Sequence, residues 1–242
     1  MNIMNTENNK DIFFPAGTAE VNIIPVMQGE EQMKVESGDL PDTLPILALR
    51  NAVLFPGMVY PVTIGRQKSI TLIKEAEKRD SFIGAVPQVD VTVEDPTEKD
   101  LYEYGTVSRV MKVLEMPDGT ITAIIQGVKR LRMDGVLSYE PYITARVKYI
   151  EDIIPENDNS TKMIAESLKE KAAVIIKSSS FAPKEAVGAL KSIDNYAFLV
   201  NFIATTVEIE NFMEKVQLLG IDDITVRAMK LLQVLDTQIQ LL

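Results

Sequence analysis

The period of the apolar residues changes once along this chain, and that change limits the folds open to it. From Leu44 to Ile150 apolar and polar residues tend to alternate, as in Thr106–Glu115, where Val107, Met111 and Val113 oppose Val110 and Leu114. A repeat of two puts one set of side chains on each face of a strand. After Glu151 the apolar residues recur every three or four, as in Ile224, Ala228, Leu231, Leu235, Ile239 and Leu242. That spacing makes one apolar stripe on a helix. The polar string Pro155-Glu156-Asn157-Asp158-Asn159-Ser160 marks the change. A strand-rich part followed by a helical part predicts an α+β fold.

The strand-rich part opens with Leu44–Arg66, LPILALRNAVLFPGMVYPVTIGR. Two strands joined at the Phe55-Pro56-Gly57 corner, as a hairpin or bent strand pair, fit this stretch. Arg66–Arg79 follows as a short amphipathic helix, with Ile70, Leu72, Ile73 and Ala76 on its apolar side. Further strands are expected at Ser81–Gln88, in the short run Val89–Val93, and at Thr106–Glu115. Three more follow at Thr120–Gln126, Val128–Val136 and Tyr142–Ile150. Met116-Pro117-Asp118-Gly119 is the tight turn of a hairpin. So many short strands suggest a closed or nearly closed barrel, which leaves few long edges exposed.

In the helical part, Ser160 is expected to cap a helix reaching Lys177. Pro183 starts a second helix, with Val187, Leu190 and Ile193 on one face. Asp194 or Asn195 caps Tyr196–Thr205, whose apolar residues lie nearly all round, as in a buried helix. A helix over Glu208–Leu219 ends at Gly220, and Asp222 or Asp223 caps the last one. That helix is still periodic at Leu242, so a longer helix is expected to continue from it. The organisation read from these signals is an acidic, disordered tail over 1–43, a β subdomain over 44–153 and a helical bundle over 154–242. The tail carries two apolar islands, Ile12–Pro15 and Val21–Val26, either of which could add to a sheet edge.

Composition excludes several chemistries. The 242 residues include no His and no Cys, which removes His-based triads, Cys nucleophiles, and His or Cys ligation of zinc or haem. The net charge is −10, concentrated in the tail (two basic, eight acidic residues) and after residue 150 (nine basic, fourteen acidic). Without a basic stripe, such a chain is a poor candidate for nucleic-acid binding, which depends on neutralising phosphates. No apolar run approaches a membrane span, and no secretory signal opens the chain. A cytoplasmic location is expected. P-loop, nucleophile-elbow and dinucleotide-binding patterns are all missing. The Asp222-Asp223 pair reads as helix capping. No metal or cofactor site is expected in these residues.

Several strings resemble a known family. Leu44-Pro45, Leu49-Arg50-Asn51, Val53-Leu54-Phe55-Pro56-Gly57, Pro61 and Gly65-Arg66 before Ser69-Ile70 are similar to the opening of the LON domain. That is the N-terminal domain of ATP-dependent Lon proteases. Asp100–Thr106, Met116–Gly119 and Gln126-Gly127 fall where the family has similar strings, as do Phe181-Ala182-Pro183, Gln217–Leu219 and Leu231–Leu235. The likeness covers about residues 44–242. Asn51 stands where many members have Asp. The resemblance implies a PUA-like β-barrel subdomain and a helical bundle, without enzymatic activity of their own. It also implies a role in selecting misfolded, damaged or regulatory proteins and in assembling the protease. In the full-length enzyme a Ser–Lys endopeptidase and an ATPase using ATP and Mg follow, in a homo-hexamer. The fragment alone is expected to be a monomer or weak dimer. The alternative reading is a stand-alone LON-domain adaptor for a protein partner or small molecule.

A binder of unfolded polypeptides needs exposed, adaptable apolar surface. Phe55, Pro56, Met58 and Tyr60 cluster at the corner and are the leading candidates; Met111 and Met116, near the Pro-Asp-Gly turn, form a second patch. Phe55 fits the core as well as the surface, whereas Met58 is expected to be exposed. Arg50 and Arg66 read as paired structural cations.

Overall fold

The computed structural model describes residues 40–156, 158–179, 185–209 and 211–242. Of the tail expected over 1–43, residues 1–39 lie outside these, as does the expectation of Pro183 as a helix start. Residues 40–43 are part of the fold instead, because Leu40 is buried, Pro41 O accepts from Tyr149, Asp42 O accepts from Val147 N and Thr43 opens the first strand. Six strands are described: β1 (Thr43–Leu49), β2 (Val59–Ile64), β3 (Phe82–Pro87), β4 (Tyr104–Glu115), β5 (Ile121–Ser138) and β6 (Thr144–Ile150). The described helices are α1 (Gln67–Arg79), α2 (Asn159–Ser178), α3 (Glu185–Ser192), α4 (Tyr196–Thr206), α5 (Phe212–Gly220) and α6 (Ile224–Gln240). Strands precede a run of five helices, so the fold is α+β, as the change of period predicts.

The sheet order is β2-β5-β4-β3-β1-β6, and β6 pairs again with β5. Among the described strands only β1 and β3 pair in parallel, with Ile46 opposite Gly84 and Leu49 opposite Pro87. A parallel neighbour requires a crossover, and α1 lies in the one between them. This overturns the expected hairpin of β1 and β2. Those strands do not pair: β1 joins β3 and β6, whereas β2 joins β5, with Tyr60 opposite Ile125.

Two further expectations are corrected. Thr120–Gln126 and Val128–Val136 form one strand, β5, of 18 residues. Gly127 does not break it. A Cβ there would lie 2.5 Å from Phe55 O, so the glycine permits the corner to cross against β5. The run Val89–Val93 is not a strand. The buried amide of Gln88 donates to Asp90 O (2.5 Å) and Val93 O (2.7 Å), folding the segment into turns.

Helix starts follow the chemistry of their caps. Asp158, two residues before the expected Ser160, accepts from Thr161 N at 2.8 Å. Asn195 accepts from Phe198 N (2.9 Å), and Asp223 from Thr225 N and Val226 N. The helix expected from Glu208 starts instead at Phe212, where Asn211 caps it. The expectation for α4 holds: every residue from Phe198 to Thr205 is buried. Its phenylalanines join a core that runs unbroken from Leu47 and Phe55 in the strand-rich part to Leu168 and Leu231 in the helices. A smaller core, including Leu44, Ile46, Val107 and Leu131, fills the space among the paired strands.

Candidate functional site

The Phe-Pro-Gly corner is a turn with Met58 N donating to Phe55 O at 3.2 Å. Gly57 has φ 81°, the left-handed value required at the third position of a type II turn, and Pro56 suits the second. The turn is held on two sides. Gly57 N donates to Gly127 O and Gly127 N to Met58 O, both at 2.9 Å, while Thr106 Oγ1 donates to Leu54 O at 2.6 Å. Asn201 of α4 donates to Pro56 O at 3.2 Å. Phe55 and Met58 are fully buried and Pro56 is buried. The expectation of an exposed Met58 is therefore wrong, and Phe55 belongs to the core. The corner faces inward because the helical half packs over it, which no local pattern around Met58 reveals.

Behind Asn201 lies a buried ionic network that the sequence did not disclose. Asn201 Oδ1 accepts from Arg227 (3.2 Å), and Arg227 reaches Asp152 at 2.8 Å. Asp152 also receives Arg130 at 2.7 Å, and Arg130 donates to Leu219 O (3.0 Å) and Glu151 O (3.3 Å). Arg130 and Arg227 are 1% and 0% exposed. Burial draws the Arg227 pKa below its usual value; Asp152 opposes that shift and Arg130 adds to it. Of the acidic pair read as capping, Asp223 caps α6, while Asp222 lies 3.3 Å from Arg130. The network ties β5, the linker at residue 152, α4 and α6 to the corner. It is architecture rather than a binding surface.

The second patch is placed at the surface. Met111 is 42% and Met116 45% exposed. Met111 is the extra residue of a bulge, since Val110 faces Ile125 and Lys112 faces Ile124. A bulge re-aims side chains and twists the strand. Met116 opens the hairpin turn, in which Gly119 N donates to Met116 O at 2.9 Å. Met163, Met213 and Met229 on the helices are exposed as well. Five of the seven methionines among the described residues therefore face outward, where their flexible thioethers suit varied contacts.

Tyr60 has a third kind of setting. It lines a cleft of about 330 Å³ with Leu47, Arg50, Val62, Arg66 and Ser69. Burial raises the Tyr60 pKa. Past Ile46, whose N–H donates to Ile143 O at 2.8 Å, the side of β1 away from β3 has no strand partner among the described residues, and β2 is an edge strand. The cleft lies between these two strands, with the start of α1 at one end. Arg50 pairs with Glu94 at 2.8 Å, as expected of a structural cation. Arg66 donates to Gln88 Oε1 (2.5 Å) and Val93 O (3.2 Å), both neutral. No group of three metal-ligating side chains occurs among the described residues.

A family model for the substrate-binding domain of the ATP-dependent protease La (LON) matches residues 43–237. The chain belongs to the LON substrate-binding domain family. Among curated relatives, a Lon protease of Flavobacterium johnsoniae is 42% identical over 223 residues, covering 92% of this chain and 27% of that protein. A Lon protease of Cytophaga hutchinsonii is 38% identical over 226 residues, covering 93% of this chain and 28% of that protein. The chain thus spans about a quarter of the length of these relatives. The match is to the substrate-binding domain, and the ATPase and protease parts lie outside these residues.

The fold of this LON domain is similar to solved ones. The N-terminal domain of a Mycobacterium avium complex Lon protease superposes with a TM-score of 0.64 at 16% identity, covering 80% of this chain and 98% of that one. A Lon N-terminal domain protein from Xanthomonas campestris gives 0.58 at 18% identity, covering 79% and 97%.

Proposed function

We propose that this LON domain recognises unfolded or misfolded polypeptides and selected regulatory proteins for an ATP-dependent serine protease, and helps assemble its homo-hexamer. The observation that carries the reading is the family match over residues 43–237. The outward methionines support it, because adaptable apolar side chains on a hairpin and on helix faces suit partners without a fixed shape. Met111 and Met116 are the contact residues in this reading. ATP and Mg serve the rest of the full-length enzyme, which acts in the cytoplasm. Among the described residues no helix is long and apolar enough to cross a membrane. The return of β6 to β5 supports a PUA-like barrel over 44–153, with 154–242 as the helical bundle.

Photo-cross-linking to a chemically denatured model protein, with mapping of contact peptides, tests the reading. Contacts are expected at the 111–116 hairpin. Met111→Asp with Met116→Asp is expected to reduce cross-linking several-fold with unchanged circular dichroism. Failure to cross-link at all would remove the function, and contacts mapping elsewhere would remove this site.

A further inference from the structure

The start of α1 carries the wrong charges for a helix start. A helix N-terminus presents unpaired N–H groups and favours anions. Here the cap is Arg66, without a side-chain cap bond, and the first turn contains no acidic residue. It contains Lys68, whose ammonium is paired with Glu140 (2.8 Å) and Asp95 (3.2 Å). Arg66 is different. Its guanidinium is bound to neutral acceptors, and among the described residues no carboxylate lies within ion-pair distance. Burial pulls its pKa down and the neighbouring Arg50 adds to that, against Glu94 and Asp95. A partly buried cation facing another cation lacks a counter-ion of its own.

That unmatched charge lines the cleft between β1 and β2. Arg50, Arg66 and the Ser69 hydroxyl lie with the helix start, while Leu47, Tyr60 and Val62 provide apolar wall. A ligand that fits both parts has an anionic end and an apolar side chain beside it. A polypeptide's C-terminal residue has both.

We propose that the cleft binds the C-terminal carboxylate of an extended polypeptide, the carboxylate on Arg66 and the α1 N-terminus and the terminal apolar side chain against Tyr60 and Val62. The site deepens the reading of a polypeptide-binding domain and rests on it. It adds selection by chain end to selection by exposed apolar surface. Both Nη2 hydrogens of Arg66 are taken by Gln88 and Val93, so the carboxylate is met by Nη1, whose one bond is a long 3.5 Å contact to Ala48 O, together with the first N–H groups of α1.

The test uses the 242-residue chain and a fluorescein-labelled ten-residue Gly/Ser peptide ending in two leucines, as the free acid and as the amide. Anisotropy titration is expected to show the acid binding at least about tenfold more tightly, the size of a charge-assisted contact. Arg66→Gln is expected to bring the ratio to about one, and Arg66→Lys to restore part of it. Equal binding of acid and amide, or an unchanged ratio in Arg66→Gln, overturns the proposal. Displacement of the acid peptide by inorganic phosphate at peptide-like concentration assigns a phosphate site instead and also overturns it. If Arg66→Gln does not fold, amide shifts in the unaltered protein decide. The acid and not the amide must move Gly65, Gln67 and Ser69, and unmoved signals overturn the site. Cross-linking of a denatured protein with an amidated C-terminus to the 111–116 hairpin tests the parent reading separately.

Discussion

Removing Asp152 should destabilise this domain more than removing any surface carboxylate. One oxygen, Oδ1, accepts from Arg130 Nε and Arg227 Nη2, each at 2.8 Å, and forms an ion pair with Arg130 Nη2 at 2.7 Å. Asp152 is itself 22% exposed, whereas the two arginines have almost no contact with solvent. Breaking a buried pair by removing one partner costs about 3–5 kcal/mol, because an uncompensated charge stays inside. Two guanidiniums are stranded here, but Asp222 remains 3.3 Å from Arg130 and softens the loss. Asp152→Ala should therefore cost about 4 kcal/mol, or about 10 °C in Tm for a chain of this length. Asp152→Asn keeps an acceptor and loses only the charge, so about half that cost is expected. Urea unfolding followed by circular dichroism measures both. A double-mutant cycle of Asp152→Ala with Arg227→Met should show coupling above about 1 kcal/mol. If Asp152→Ala unfolds within about 0.5 kcal/mol of the unaltered protein, the network does not join the two halves and the reasoning fails.

Gly127→Ala should cost about 2 kcal/mol, since its Cβ would meet Phe55 O at 2.5 Å and that oxygen is fixed by the Met58 N–H. Unchanged urea stability would show that the corner can shift away. Met111→Ser with Met116→Ser should change stability by less than about 0.5 kcal/mol, as both side chains are exposed; a larger loss in the same assay would make the hairpin tip structural. The pH profile follows from three groups. Burial pulls the Lys215 pKa down to about 8 from 10.5, so between those values unfolding takes up a proton and stability rises with pH. The rise is about 1 kcal/mol after allowing for Lys215's partial exposure. Tyr149 and Tyr196, pushed up to about 12 chiefly by burial, lower stability above pH 10, where only the unfolded chain ionises. Urea midpoints should rise from pH 7.5 to 9.5, and Lys215→Met should remove that rise. A flat profile in the unaltered protein would contradict the assignment.

What could be read from the sequence was what neighbouring residues decide among themselves. The Pro-Asp-Gly turn, the amphipathic α1, the caps at Asn195 and Asp223 and the apolar girth of α4 depend on chemistry within a few residues. Pairing depends on partners far along the chain. Nothing within Leu44–Arg66 shows that β1 lies beside β3 and β2 beside β5. Gly127 looks like a strand break in sequence because glycine serves both as a break and as room for a crossing backbone. Arg130 and Arg227 look like ordinary surface cations in sequence, and their burial becomes evident only when residue 152 brings its carboxylate between them.

The corner shows why family strings and contact surfaces separate. Phe55-Pro56-Gly57-Met58 carries much of the LON resemblance, yet its side chains are enclosed, its Pro56 and Met58 carbonyls accept from Asn201 and from Gly127 N, and the preceding Leu54 carbonyl accepts from Thr106. Each feature of the string meets a structural demand: Pro for the second turn position, Gly for a φ of 81°, Phe and Met for the core shared with the helices. A surface that must meet many unfolded sequences has no comparable demand for fixed residues. It needs only flexible apolar groups held outward, as Met111 is by its bulge. The residues that identify the family should therefore be sought in its joints, and those that contact substrate in positions that tolerate exchange. Swapping Met111 and Met116 for Leu should preserve cross-linking to denatured protein, while Gly57→Ala should destabilise the fold by about 1 kcal/mol through its positive φ. If Leu abolishes cross-linking, the hairpin recognises a particular shape and adaptability is not what it supplies.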